Sequence, residues 1–306
     1  MMIFANNFIY LIIAYFMSAF GKAIKDIARN TLLYDSTKIC KGKNSFGNIN
    51  AKGSSLSYAL GAITSIFTGY LFVINPYIPI ILSTFISLLA IIMAYRFEDV
   101  EIERKQKTTI SESIIDMKQS LKVILKSERL KALFLFISIF GGILTMISTY
   151  EKSLLTDLQV LPQYFGIIFA VLTLVQCFSV KYQDKIHNTF RNKTLTFLAI
   201  PIFISFIIVG VITSLNLNFG FTIMISLVSF FIHHFFRGPY WVLEDTYVTN
   251  FTDSNTRSKI LSVSNFIRNI GEIFISFLGG LLLEFYPTSK AYLIVGIIGL
   301  IVILLV

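Results

Sequence analysis

Charged residues are scarce in this sequence, and cysteine, proline and glycine are infrequent. Asp, Glu, Lys and Arg make up 14% of the 306 residues and apolar residues 55%, whereas an ordinary soluble domain has about 25% charged residues. Six prolines and 17 glycines are too few for a disordered chain, and Cys40 and Cys177 provide no disulfide framework. The composition therefore excludes a soluble domain, a disordered chain and a disulfide-stapled scaffold.

Sequence signatures of hydrolytic enzymes are also missing. The chain has no Walker A glycine loop, no GxSxG and no HExxH, so ATP hydrolysis and intramembrane hydrolysis have no residues to perform them. His233 and His234 are adjacent and point about 100° apart on a helix, so a metal would need ligands from elsewhere. We therefore expect no enzyme, no metal and no cofactor. The net charge of +9 is attributed to loop lysines rather than to nucleic-acid binding.

Nine apolar stretches recur along the chain. In hydrocarbon every backbone N–H and C=O must be bonded within the spanning element, which leaves helices and closed barrels. Runs of about 18 apolar residues favour helices, since barrel strands are about ten residues long and alternate in polarity. The predicted fold class is an all-α polytopic membrane helix bundle with about nine transmembrane helices. The stretches cover residues 7–33, 56–73, 77–95, 132–150, 164–180, 195–212, 219–243, 260–285 and 291–306.

Lysine and arginine are concentrated in the loops of one side. The loops after the first, third, fifth and seventh stretches hold roughly nineteen basic residues, against Lys152 and Lys290 in the opposite loops. Because basic loops remain in the cytoplasm, we predict a multi-pass protein of the cell membrane with its C-terminus inside. The same bias places the start of this chain outside without a preceding signal sequence, so we expect either a fragment or a misplaced start.

The longest non-apolar stretch, residues 97–131, separates two groups of helices. Its apolar residues recur at three- and four-residue spacing, and Thr109 and Glu112 stand at the spacing of a capping box. This pattern predicts an amphipathic helix, which either lies on the inner membrane face or is a solvated linker helix. The predicted domains are a partial three-helix bundle over 1–96, this linker, and a six-helix bundle over 132–306.

A weak internal repeat relates the two groups of helices. When the chain is shifted by about 210 residues, the segment 32–36 (LLYDS) lies over 242–246 (VLEDT), and Gly61 lies over Gly271. Membrane transporters are often built from such repeats. The first three stretches therefore correspond to the last three. By the same arithmetic we expect three further helices upstream of Met1, in about 80 residues that this chain lacks.

Three segments carry a resemblance to a known family. The segment 32–36 looks like the Leu-Tyr-Asp-Ser signature that follows the fourth helix in many bacterial efflux-type members of the major facilitator superfamily. The second stretch is similar to the glycine-rich fifth helix of that group, and Asp184-Lys185 with Arg191 resembles its loop motif, with two glycines replaced. The resemblance implies a twelve-helix fold in two halves, of which this chain has helices four to twelve, and alternating-access transport.

Small residues recur along one face of the second stretch. They stand at four-residue intervals, which aligns them as a narrow ridge on a helix, and such ridges allow the close helix approach that holds membrane bundles together. We predict a packing surface there that can also slide during transport, with a looser version in the eighth stretch. The residues are Gly53, Ser57, Gly61, Ser65 and Gly69, then Gly271, Gly279 and Gly280 in the eighth stretch.

Charged residues at membrane depth are the main functional candidates, because each costs about 2.5–3.5 kcal/mol at the centre of a spanning helix. For Asp26 and Glu272 we weigh proton coupling against structural ion pairs, with Lys22 and Arg268 as partners four residues away. The candidates for coupling or substrate binding are Lys22, Lys25, Asp26, Arg29, His233, Arg237, Trp241, Arg268 and Glu272.

Two arginines could instead bind an anionic substrate. Arg237 and Arg268 lie within the seventh and eighth stretches, and the alternative to anion binding is that they pair with Glu244 or Glu272. Acidic residues at the ends of the first and seventh stretches are expected to be gate or capping residues. The gate and loop candidates are Asp35, Asp184, Lys185, Arg191, Glu244 and Asp245.

The function predicted from the sequence is secondary transport. We expect proton-coupled export of a small solute by alternating access. Two alternatives stay open, which are a truncated and inactive transporter and a non-transporting membrane sensor. The expected partners are membrane lipid, a small-molecule substrate and protons, without nucleic acid, and the expected state is a monomer.

Overall fold

Almost all of the described chain is helical, with short turns between the helices. The computed structural model describes residues 7–39, 46–96, 121, 127–215, 218–250 and 257–305. These ranges contain ten α-helices, with a short 3₁₀ turn at Arg191–Lys193 between the sixth and seventh. The helices are α1 Phe8–Ile39, α2 Phe46–Ile74, α3 Tyr77–Ala94, α4 Glu128–Asp157, α5 Pro162–Val180, α6 Gln183–Phe190, α7 Thr194–Ser214, α8 Phe219–Asn250, α9 Arg257–Phe285 and α10 Thr288–Leu305.

Each of the nine predicted apolar stretches coincides with one long helix, so the prediction of an all-α membrane bundle is confirmed. Seven of these helices are long and apolar enough to cross a membrane. Within the described residues, α1 and α10 contribute shorter apolar segments, Ile12–Lys22 and Thr288–Ile303. The count of fully apolar spans among the described residues is therefore lower than nine.

Several helix ends lie beyond the predicted boundaries. Helix α4 continues to Asp157 and α8 to Asn250, while α2 begins at Phe46. The predicted stretches end at the first polar residues, where the mean hydropathy falls. Backbone hydrogen bonding continues through those residues, so the helices are longer than the stretches. The predicted amphipathic helix between Thr109 and Ile124 lies outside the described residues apart from Leu121.

The core is centred on α4, which contacts α8, α9 and α10. Aromatic rings fill the space between these helices and α7. Tyr150 of α4 lies edge-on to Tyr292 of α10 with ring centroids 5.4 Å apart, and Phe140 meets Phe203 of α7 in the same way at 5.8 Å. The Tyr150 hydroxyl donates to the carbonyl of Gly279 on α9 at 3.0 Å. These contacts fix α4 between its neighbours.

The first three helices attach to this core mainly through α2. Helix α2 packs along α5, and α3 contacts α2. Every described side chain of α3 is at least partly exposed. Such apolar exposure suits a helix whose surroundings are lipid. Helix α1 contacts α2 and α9.

Part of the predicted small-residue ridge lies at the α2–α5 crossing. The Cα atom of Gly166 on α5 lies 3.0 Å from the position that a Cβ would take on Gly69, and Thr173 lies 3.6 Å from that of Gly61. By contrast, Gly53 has no neighbour within 4 Å of its Cβ position, and Ser57 is exposed. Toward the start of α2, Gly53 and Ser57 therefore do not take part in this contact, and Ser55 meets α5 there instead.

The glycines of the eighth stretch lie in α9, and only some of them contact a neighbouring helix. A Cβ on Gly271 would collide with Ser138 of α4, and one on Gly279 would collide with Met146. Gly280 faces open space. Gly271 and Gly279 therefore permit the close packing of α9 on α4, and Gly280 does not take part.

The alternation of the helices defines two ends of the bundle. Helices α2, α4, α7 and α9 begin at the end where the loops are rich in lysine and arginine, which we call the basic end. They terminate at the opposite end. Glu151 and His233 mark the depth of the site described next, because Glu151 lies six residues, about 9 Å, before the end of α4 at Asp157.

Candidate functional site

A fully buried carboxylate meets two histidines where α4 packs on α8. Glu151 is 0% exposed. Its Oε1 lies 3.0 Å from Nδ1 of His233, and its Oε2 lies 3.2 Å from Nε2 of His234. Nε2 of His233 lies 3.3 Å from the hydroxyl of Ser229, one turn earlier on α8. Both carboxylate oxygens therefore find their partners inside the protein.

Aromatic rings enclose this Glu–His–His cluster. The ring of Phe206 on α7 lies 4.7 Å from that of His233, and Phe230 lies 6.1 Å away. Tyr292 of α10 packs on Phe206 at 4.7 Å. This enclosure keeps bulk water away, which strengthens the hydrogen bonds of the cluster and makes loss of any partner costly. Among the described residues, no group of three or more His, Cys, Asp and Glu is arranged to hold a metal ion.

Sequence reasoning missed Glu151. The predicted fourth apolar stretch ends at residue 150, so Glu151 lies one residue beyond it. The available signal was the spacing of Ile147, Tyr150 and Leu154, which continues the buried face of α4 and is 0–2% exposed. His233 and His234 were expected to need partners from another element. The structure supplies a single partner that both histidines contact.

Arg237 lies on α8 one turn from the cluster, and its guanidinium makes few hydrogen bonds. Its Nη1 donates to the hydroxyl of Ser148 on α4 at 3.0 Å. Its Nε is buried and has no hydrogen-bond partner among the described residues. The alternative in which Arg237 pairs with Glu244 or Glu272 is not what the structure shows, because both glutamates lie at salt-bridge distance from Arg268.

Arg268 of α9 is the arginine that pairs with acids. Its Nη1 lies 3.1 Å from Oε1 of Glu244 on α8, and its Nε lies 3.7 Å from Oε1 of Glu272, four residues along α9. Its Nη2 donates to Asn265 at 2.8 Å, and its guanidinium lies 5.8 Å from the centre of the Trp241 ring. Both glutamate partners considered from the sequence are therefore used by Arg268.

Near the basic end, hydrogen bonds join the first helices to the second group. Nη2 of Arg29 on α1 donates to Oδ1 of Asn50 at 3.3 Å, and Nδ2 of Asn50 donates to Oδ2 of Asp245 on α8 at 3.3 Å. Asn50 is 1% exposed. Close by, the sulfur of Cys177 on α5 lies 3.1 Å from the Ser55 hydroxyl on α2. Asn50 was not predicted, since a neutral amide before the second apolar stretch gives no hydropathy signal.

Comparison with known proteins identifies the family of this chain. A family model described as Major Facilitator Superfamily matches residues 1–233, more than half of the chain. The chain belongs to the Major Facilitator Superfamily. It is similar to a Bacillus subtilis (strain 168) protein named "Uncharacterized MFS-type transporter YxaM", at 24% identity over 279 residues and 86% of this chain. The match covers 65% of that relative, so the chain spans just under two thirds of the relative's length.

In this superfamily member, helix α6 holds the segment that resembles the superfamily loop motif. Asp184 and Lys185 are exposed on it. Nδ1 of His187 lies 2.6 Å from the hydroxyl of Tyr247 and ties α6 to α8. Arg191 follows with a φ of 46°, and its carbonyl accepts from the hydroxyl of Thr194 at 2.6 Å. The loop is therefore anchored to the bundle, and its charged side chains face outward.

The remaining candidates of this superfamily member lie on α1. Lys22 and Lys25 are exposed, and Lys22 is close enough to Glu272 for their charges to interact. The side chains of Asp26 and Asp35 lie outside the described residues, so the predicted Lys22–Asp26 pair and the gate role of Asp35 stay predictions. The structure thus brings together Arg29, Asp245 and the α8–α9 charges, with Lys22 near Glu272.

Proposed function

We propose that this chain is a secondary transporter that exports a small solute by alternating access, with the Glu–His–His cluster as its proton-coupling site. The observation that carries the proposal is the fully buried Glu151 held between His233 and His234. Ionisable groups within membrane-spanning helices are costly and are characteristic of proton pathways. Histidine is the side chain whose charge normally changes near neutral pH.

The cluster is built to move a proton over a short distance. A proton on either imidazole or on the carboxylate is within one hydrogen bond of the other two groups. The other titratable groups that interact with Glu151 are Arg237 on α8 and Tyr292 on α10. Arg237 is the cation of the two, and it attracts the carboxylate. Protonation of the cluster therefore changes the charge at the α4–α8 contact.

The second element of the proposal is a gate at the basic end. Arg29, Asn50 and Asp245 connect α1 and α2 to α8, and these bonds must break for the two groups of helices to separate there. The lysine and arginine bias of the loops supports a cytoplasmic location for this end and for the C-terminus. The resemblance of segment 32–36 to efflux-type transporters supports the export direction.

Glu272, which the sequence singled out for coupling, has a different role in this proposal. Its side chain is 21% exposed and lies 3.7 Å from Arg268. Arg268 also holds Glu244, whose side chain is 2% exposed. We assign these three residues to a structural ion-pair network between α8 and α9, in which Glu272 is the outer member.

Transport in inverted membrane vesicles tests the proposal. A substrate is first identified by screening compounds in cells that lack other exporters, and its movement is then measured with and without an imposed pH gradient. We expect Glu151→Gln to abolish the response to the gradient. The matched control is Glu284→Gln, which removes an exposed acid of α9 and should leave the response intact.

Two outcomes would contradict the proposal. If the wild-type chain moves solute at the same rate with and without a pH gradient, proton coupling is wrong. If Glu151→Gln responds like the wild type while Glu272→Gln does not, the coupling site is Glu272 and the Glu–His–His cluster is structural.

A further inference from the structure

Arg237 has a positive charge that no described acid neutralises directly. Its one hydrogen bond is to the neutral hydroxyl of Ser148 at 3.0 Å, and its Nε is buried without a partner among the described residues. Arg268, one helix away, lies at salt-bridge distance from both Glu244 and Glu272. Of these two arginines, Arg268 is therefore paired with acids and Arg237 is not.

The acids that interact with Arg237 already contact other groups. Glu151 and Glu272 both interact with it electrostatically, but the two oxygens of Glu151 are occupied by His233 and His234 at 3.0 and 3.2 Å, and Glu272 lies 3.7 Å from Arg268. A guanidinium has five N–H donors in a fixed fork. At Arg237 one of these donors is used by Ser148. The remaining donors of the fork have no acceptor in the described part of the chain.

The open side of Arg237 faces the junction of the two groups of helices. The side chain is partly exposed, and Tyr58 of α2 is close enough to interact with it electrostatically. Ser148, on α4, closes the other side. Its hydroxyl oxygen accepts from Arg237, so its own hydrogen is available to a ligand. A solute lying between α2, α4 and α8 would meet both donors.

We infer that Arg237 is the anchor for an anionic group and that the transported solute is an organic anion with a carboxylate. This inference rests on the transport function proposed above and names its substrate class. Arginine binds carboxylates through two parallel N–H···O bonds, which are shorter and stronger than neutral hydrogen bonds. An unpaired guanidinium at this depth is unfavourable in the empty protein, and the ligand carboxylate removes that penalty when it binds.

Thermal unfolding of the purified full chain in detergent tests the inference, with benzoate as the probe and benzamide as its uncharged counterpart at equal ionic strength. We expect benzoate to raise the Tm of the wild type and benzamide not to. In Arg237→Met the apparent affinity for benzoate falls by about tenfold or more, and Arg237→Lys keeps part of it. Lys152→Met, which removes an exposed cation beside Glu151, leaves the benzoate response unchanged.

The variants without ligand give a second, independent readout. If Arg237 awaits a ligand, Arg237→Met has a Tm equal to or above that of the wild type, because an uncompensated charge has been removed. A Tm several degrees lower shows that Arg237 is a structural residue and overturns the inference. Equal benzoate responses of wild type and Arg237→Met, or no response of the wild type, overturn it as well. Should Arg237→Met not fold, Arg237→Gln takes its place in both measurements.

The design separates this inference from the transport proposal. Binding is measured without a membrane or a pH gradient. Absence of transport with an intact benzoate response refutes the transport proposal alone. Transport of an uncharged or cationic solute without a benzoate response refutes the anion site alone.

Discussion

Asn50 is the residue whose replacement most directly tests whether the basic end is a closed gate. The variant Asn50→Leu keeps the size of the side chain and removes both bonds of the amide, to Arg29 and to Asp245, each 3.3 Å long. At about 0.5–1.5 kcal/mol per hydrogen bond, and with both bonds near the long limit, the loss is about 1–2 kcal/mol. That change shifts an equilibrium by a factor of about 5–30 toward the state in which the gate is open.

Cys177 provides the assay, because it is buried on α5 beside Ser55 of α2 near the same end. In a Cys40→Ser background, a maleimide reacts with Cys177 only when α2 and α5 separate. We expect the alkylation rate of Asn50→Leu to exceed that of the parent by about 5–30-fold. Asn269→Leu, which changes an exposed amide of α9, is the control and should react at the parental rate.

An unchanged rate in Asn50→Leu would refute the gate. It would mean that the two 3.3 Å bonds do not hold the helices together, or that α2 and α5 never separate at this end. An equal increase in Asn50→Leu and Asn269→Leu would indicate general loosening of the bundle. Each result can be read directly, since both variants exchange one amide for the same apolar side chain.

Further predictions concern the stability of the bundle. Glu151→Gln retains an acceptor and a donor for the two histidines and should unfold like the wild type, whereas Glu151→Ala loses both bonds and about 1–3 kcal/mol in the free energy of unfolding, measured by denaturant titration in detergent. Gly279→Ala, which collides with α4, should lower the Tm, and Gly280→Ala, which faces open space, should not. Arg268→Met leaves a buried glutamate uncompensated and should cost about 3–5 kcal/mol in the same titration; a cost below about 1 kcal/mol would show that the ion pair is unimportant.

The sequence was sufficient to predict interactions between residues of a single helix. Helix periodicity places Arg268 and Glu272 four residues apart, and the structure joins them at 3.7 Å. The spacing of the small residues in α2 identified Gly61 and Gly69, which do meet α5. Such contacts follow from the geometry of one element, which the order of residues determines.

Contacts between helices were harder to predict. Glu151 and His233 are 82 residues apart, and nothing in the pattern of either helix says which residues of the other it will meet. Arg237 and Arg268 look alike as deep arginines one turn from polar neighbours. Only the packing of α8 on α4 and α9 decides that Arg268 receives both glutamates and Arg237 receives a serine. The relative rotation of packed helices, which fixes such partners, is set by many side chains at once.

The close approach of Gly69 and Gly166 is a contact around which α2 can rotate. Ser55 lies 14 residues before Gly69 in the same helix, a distance of about 21 Å along its axis. A rotation of α2 by about 10° around the glycine contact would therefore displace Ser55 by about 4 Å. The hydroxyl of Ser55 is 3.1 Å from the sulfur of Cys177, so this small angle is enough to part the two helices at the basic end while they stay in contact at Gly69.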